Sequence, residues 1–136
     1  MQVKDVMSQT VEMAVPDDTL QEAATRMRCW NVGILPVKEG DRMVGVITDR
    51  DIVMRAVCEA KDMKQTRVRD VMTQKVISCF ADQSVEEAAE LMKAEKVRRL
   101  MVLDRAQGIV GVVALQDIAQ ALEPRVGEVL ERVSVQ

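Results

Sequence analysis

The sequence predicts an α/β protein made of two tandem strand–helix–strand–strand–helix units packed as a pseudo-two-fold pair. Three observations carry this: self-similarity between the two halves, a matched pair of capped amphipathic helices, and matched pairs of β-branched strands. Shifting the chain by 65 positions lays Val3-Lys4-Asp5-Val6-Met7-Ser8 on Val68-Arg69-Asp70-Val71-Met72-Thr73. From Val3 to Val37, 14 of 35 positions are identical, far above chance at roughly one in 15 to 20. One extra residue then enters the second copy, after which Val44-Gly45-Val46 meets Val110-Gly111-Val112 and Asp51-Ile52 meets Asp117-Ile118.

The first helix of each copy opens on a capping box, Thr19-Leu20-Gln21-Glu22 and Ser84-Val85-Glu86-Glu87. There the hydroxyl accepts from an orphan N–H and the glutamate reaches back. Leu20, Ala23, Ala24 and Met27, and then Val85, Ala88, Ala89 and Met92, recur at i, i+3, i+4, i+7 and form the buried faces. Strands follow at Ile34–Val37 and Leu100–Leu103, turns at Glu39-Gly40-Asp41 and Asp104–Gly108, and strands again at Met43–Ile47 and Ile109–Val113. The last helix of each copy starts near Asp49–Asp51 or Gln116–Asp117, with Ile52, Val53, Ala56, Val57 or Ile118, Ala119, Leu122 as its apolar positions. The polar stretch Lys61–Arg69 is the boundary, giving repeats at 1–62 and 63–123 and an amphipathic tail at 124–136 after Pro124. One unit of about 60 residues buries too little surface for comfortable stability, so two should share a core and leave clefts between them.

Composition narrows function. The 136 residues are 48% hydrophobic and 30% charged, as a folded core requires. A net charge of -3 and two aromatic residues, Trp30 and Phe80, argue against nucleic acid and anionic membrane. No apolar run is long enough to span a bilayer, and Met1–Asp5 does not read as a signal peptide. Cys29, Cys58 and Cys79 form no CxxC pair, which suggests reduced, buried cysteines in a cytoplasmic protein. The absence of histidine removes the commonest general base and most zinc sites; with no P-loop either, an enzyme is not expected. Met7, Met72, Met27 and Met92 read as core by their repeat positions, and Trp30 as a cover at a helix end or a dimer contact.

Candidate ligand-binding residues cluster where the second strand meets the last helix. Gly45 lacks the Cβ that would keep a ligand from the backbone. Thr48 offers a hydroxyl, beside free N–H groups suited to phosphate, and Asp51 could accept from both hydroxyls of a ribose. The plainer reading makes Thr48 a helix N-cap and Asp51 a first-turn partner of the helix dipole. In the second copy Gly111 and Asp117 remain, but Ala114 replaces the hydroxyl and Gln116 stands in the turn.

The duplicated unit, with Gly45-Val46-Ile47-Thr48-Asp49-Arg50-Asp51 closing its first copy, resembles the CBS domain, and the tandem arrangement resembles a Bateman module. The resemblance covers about residues 1 to 123 and implies a stand-alone regulatory pair. It further implies that an adenosine nucleotide (AMP, ADP, ATP or a relative) binds in clefts between the repeats, with no cofactor required. A homodimer and a regulated partner protein are part of the same expectation. The dimer would form through Ile52, Val53, Val57, Ile118, Leu122 and the tail. In that pattern Asp51 and Asp117 meet ribose and Thr48 the hydroxyl or phosphate region. Arg98 and Arg99 stand where basic residues meet phosphate, or else serve as a solvated helix exit. The segments Val11–Val15 and Val76–Phe80 would edge the adenine pockets, and Met101, standing where the first copy has Pro36, weakens the second site. An alternative is a ligand-free interaction scaffold.

Overall fold

A computed structural model describes residues 1–9 and 12–122. Thr10, Val11 and the tail, with Pro124, Val126, Val129, Leu130 and Val133, lie outside the described residues. The described chain forms two compact units: residues 12–76 in one, residues 1–9 and 77–122 in the other.

In the unit formed by residues 12–76, helix α1 (Leu20–Trp30) leads to strands β1 (Ile34–Glu39) and β2 (Arg42–Thr48), then to helix α2 (Asp49–Ile52), which runs on as a π-helical turn at Val53–Val57. Strands β1 and β2 pair antiparallel, with Ile34 opposite Thr48 and Val37 opposite Gly45. Gly40 turns between them at φ 62°, the left-handed region that a glycine enters without Cβ strain. On the β1 side, Ala14 forms a parallel bridge with Val37; on the β2 side, Thr73 forms an antiparallel bridge with Val46. The core of this unit is built from Leu20, Ala23, Met27, Leu35, Val37, Ile47, Ile52 and Ala56, with Val68 and Val71 from the short helix α3 (Val68–Val71).

The other unit repeats this plan. Strand β3 (Ser78–Phe80) pairs parallel with β4 (Arg99–Asp104), which pairs antiparallel with β5 (Gly108–Ala114); α4 (Val85–Glu95) and α5 (Leu115–Leu122) complete it. Ser8 bridges Val112, as Thr73 bridges Val46. Val3, in a 3₁₀ turn at Val3–Asp5, joins Val85, Ala88, Met92, Leu100, Val102, Val113 and Ile118 in the core.

The capped helices form where the hydroxyls stand. Thr19 Oγ1 accepts from the Glu22 N–H at 3.1 Å, and Ser84 Oγ accepts from Glu87 N–H at 3.1 Å while Glu87 Oε1 takes the Ser84 N–H at 3.4 Å. Hydrogen bonds from Gln83 and from Ser84 hold the Glu87 carboxyl below its ordinary range. Asn31 and Lys96 end α1 and α4 in the left-handed region, at φ 52° and 56°.

The compact units are not the sequence repeats 1–62 and 63–123, because the leading segments are exchanged. Residues 1–8 pack on the body of the second repeat: Val3 N–H donates to Gln83 O at 2.8 Å and Ser8 N–H to Val112 O at 2.8 Å. Residues 66–73 pack on the body of the first: Val68 N–H donates to Asp18 O at 2.8 Å and Thr73 N–H to Val46 O at 2.8 Å. Val3 and Val68 are both fully buried, so the stretch Lys61–Arg69 is not polar linker throughout; its end begins a core helix.

Three expectations about side chains are corrected. Ile52 and Ala56 are buried, but Val53 and Val57 are about half exposed. In a helix these pairs lie four residues apart on neighbouring stripes, and the core covers only the first. Ile118 is likewise buried while Leu122 is exposed, so Ile52 and Ile118 belong to the cores and not to an external face. Among the cysteines only Cys79 is buried; Cys29 and Cys58 are exposed, at or beyond helix ends. Trp30, at the end of α1, is 52% exposed, so it covers the core only in part.

Burial pushes the Cys79 thiol up from 9.0 to about 11, because the thiolate would sit in apolar surroundings. A thiol reagent at neutral pH is therefore expected to modify Cys29 and Cys58 quickly and Cys79 only after unfolding; three fast-reacting thiols in the native protein would refute this. With the folded value above the unfolded one, the stability Cys79 contributes is complete below about 9 and lost as pH rises toward 11.

Candidate functional site

The residues singled out in the first copy meet at the junction of β2 and α2. Thr48 ends β2 and is the N-cap of α2. Its Oγ1 accepts from Asp51 N–H at 3.0 Å, and Asp51 Oδ2 accepts from Thr48 N–H at 3.0 Å. This reciprocal box is the plainer of the two sequence readings, and it fixes the rotamers of both side chains. It also buries Asp51 to 9% exposure, the one charged residue so buried among the described residues.

The free N–H groups expected at this helix start are absent. Thr48 and Asp51 N–H are used in the box, Asp49 N–H donates to Gly33 O at 3.0 Å, and Arg50 N–H donates to Asp49 Oδ1 at 2.8 Å. A phosphate here would have to displace a protein acceptor, so the backbone does not form a phosphate cradle.

Two residues that the sequence reading did not single out complete the site. Thr73 Oγ1 donates toward Asp51 Oδ1 and Oδ2, at 3.3 Å each. Arg55, one turn on from Asp51, donates through Nη1 to Val71 O at 2.9 Å and to Thr73 Oγ1 at 2.9 Å, and lies 3.4 Å from Asp51 Oδ1. The Arg55 signal was present as an i,i+4 acid–base pair. The Thr73 signal was not, because that residue comes from the exchanged segment of the second repeat.

Gly45 is explained by the same segment. A Cβ built at Gly45 would lie 2.6 Å from Thr73 O and 3.3 Å from Met72 Sδ. The missing Cβ lets the chain approach its own backbone, where the sequence reading had placed a ligand. Gly111 is in the same position, its Cβ falling 2.5 Å from Ser8 O and 2.9 Å from Met7 Sδ.

In the second unit Asp117 Oδ2 accepts from Ala114 N–H at 2.9 Å, which preserves the return half of the box. Ala114 has no hydroxyl to supply the other half, and Gln116 lies in the first turn of α5. Arg99 opens β4 opposite Ala114 and is partly buried; Arg98 is exposed, and its carbonyl accepts from Leu115 N–H at 2.8 Å. The backbone of the adenine-edge segments is partly used by the sheets: Ala14 N–H donates to Pro36 O at 2.9 Å, and Lys38 N–H donates to Ala14 O at 2.9 Å. Met13 O accepts from Arg26 Nη1 at 2.7 Å, and Ser78–Phe80 pairs with Met101–Leu103.

A duplicated strand–strand–helix junction, its aspartate buried in one copy (Asp51) and partly buried in the other (Asp117), defines a tandem α/β repeat module. The model of the CBS domain matches twice, at residues 3–57 and 68–124, and the chain belongs to that family. It is 39% identical to the CBS domain-containing protein YhcV of Bacillus subtilis over 136 residues, covering 98% of this chain and 96% of that one. Its fold is similar to that of a protein with CBS domains from Burkholderia ambifaria (TM-score 0.83, 27% identity, 91% and 95% of the two chains). It is also similar to the CBS domain pair of protein MJ0100 in complex with 5′-methylthioadenosine and S-adenosyl-L-methionine (TM-score 0.81, 27% identity, 92% and 98%). No helix among the described residues is long and apolar enough to cross a membrane.

Proposed function

We propose that this CBS pair is a regulatory, non-catalytic module. It binds an adenosine-containing small molecule (AMP, ADP, ATP or a related adenosine compound) and passes the binding event to a partner protein. The observation that carries the reading is Asp51: a buried carboxylate whose rotamer is already fixed by Thr48 and whose Oδ1 faces only side-chain donors. Such a group suits the two hydroxyls of a ribose. The two adenosine compounds bound by the similar MJ0100 pair support the ligand class. Neither carries a phosphate, which agrees with the fully engaged N–H groups at Thr48–Asp51. In the second unit Asp117 is the corresponding ribose acceptor, with Arg98 and Arg99 as the groups that would favour a phosphate-bearing ligand. Pairing of two chains belongs to the same proposal, supported by the exposed Val53, Met54 and Val57.

Thermal melting with adenosine, AMP, ATP, 5′-methylthioadenosine and GTP tests it. A ligand that binds only the folded chain adds about 2.7 kcal/mol at a hundredfold excess over Kd, a rise of several degrees. The adenosine compounds are expected to raise the midpoint and GTP to do less. A flat response across the panel would leave the interaction-scaffold reading.

A further inference from the structure

We propose that Arg55 sets the affinity of the Asp51 site by competing for it: its guanidinium and the Thr73 hydroxyl occupy the carboxylate, and a ribose binds by displacing them. The inference rests on the reading of Asp51 as a ribose acceptor. An ionised carboxylate offers about four lone-pair sites. Thr48 N–H takes one on Oδ2 as part of the helix cap, Thr73 Oγ1 leans on both oxygens at 3.3 Å, and Arg55 Nη1 stands 3.4 Å from Oδ1. A ribose diol brings two O–H donors and needs two of those sites. The Thr48 bond cannot yield without undoing the start of α2, so the Thr73 and Arg55 contacts yield.

Arg55 is built to leave outright, whereas Thr73 yields only by turning its hydroxyl away. The Arg55 side chain is 48% exposed, so its released guanidinium would be taken up by water. Thr73 is pinned by its backbone, which exchanges both hydrogen bonds with Val46 at 2.8 and 2.9 Å. Arg55 also holds Val71 O, so its departure frees one tie between the π-helical turn after α2 and the exchanged segment. That gives ligand binding a mechanical consequence at residues 71–73. The other repeat has alanine at position 121 where this one has Arg55, and Ser8 where it has Thr73, so this arginine competitor is peculiar to one unit.

Calorimetric titration with adenosine, which carries no phosphate for an arginine to attract, tests this on the parent, Arg55→Met and Thr73→Val. Both variants are expected to bind adenosine more tightly, Arg55→Met about 3- to 10-fold, the size of a half-exposed charged contact removed from the competition, and Thr73→Val by less, while both melt at a lower temperature. Opposite movement of affinity and melting point is what a purely structural arginine would not produce. If Arg55→Met fails to fold, Thr73→Val carries the same criterion, since the Thr73–Val46 pair is made by the backbone alone. Unchanged or weaker binding by the folded variants, with the parent binding, overturns the competition and leaves the proposed function standing. No adenosine binding by parent or variants overturns both. Binding seen only in the variants supports the competition in its strongest form.

Discussion

Gly45→Ala is expected to destabilise the protein by about 2–4 kcal/mol, since overpacking against backbone and loss of a bonded strand pair act together. The added Cβ would stand 2.6 Å from the Thr73 carbonyl oxygen. That oxygen cannot retreat freely, because it accepts from Val46 N–H at 2.9 Å. Gly111→Ala is expected to behave alike, with Ser8 O at 2.5 Å and held by Val112 N–H at 3.0 Å. Gly40→Ala is the control: nothing lies within 4 Å of its Cβ, and only the left-handed backbone costs about 1 kcal/mol. Urea unfolding of the three variants gives the ordering. A Gly45→Ala protein no less stable than Gly40→Ala would mean that the exchanged segment does not sit on β2.

Asp51→Ala is expected to lose affinity for adenosine about 10- to 100-fold, as a charged acceptor of two hydroxyls is removed. The same change leaves the Thr48 N–H without its carboxylate and deprives Arg55 of an acidic partner, so a stability loss of about 1–3 kcal/mol should accompany it. Asp117→Ala should reduce binding less, because its unit lacks the hydroxyl that completes the box. Titration and urea unfolding of both variants separate the roles. Lost stability with unchanged adenosine binding would make Asp51 a helix cap and nothing more. Loss of binding in Asp117→Ala alone would assign the stronger site to the other unit.

How far the site was legible varies residue by residue. The Thr48–Asp51 box was within reach, because hydroxyl, carboxylate and both N–H groups lie within four residues and one helical turn brings them together. That same box used up the N–H groups which the sequence reading had left for a phosphate. Gly45 stood out correctly as a point of close approach, and the group that approaches it in this structure is Thr73 O. The cysteines misled because a small apolar residue carries no mark of which stripe of its helix faces the core, and Cys29 and Cys58 lie where α1 and the π-helical turn end.

By itself the sequence determined the duplication, the order of capped helix, strand pair and last helix within each copy, the capped starts of α1 and α4, and most of the two cores. These follow from period and from hydrogen bonds between near neighbours, which act within a few residues whatever the rest of the chain does. Only the tertiary structure decided that Val3–Ser8 and Val68–Thr73 change places, and with that why Gly45 and Gly111 are glycines and what stands against Asp51. The physical reason lies in the repeat itself. The two segments are nearly the same sequence, each presenting a valine to a core and a backbone edge to a strand. Local pattern therefore cannot say which body each will join; that choice belongs to the path of the whole chain.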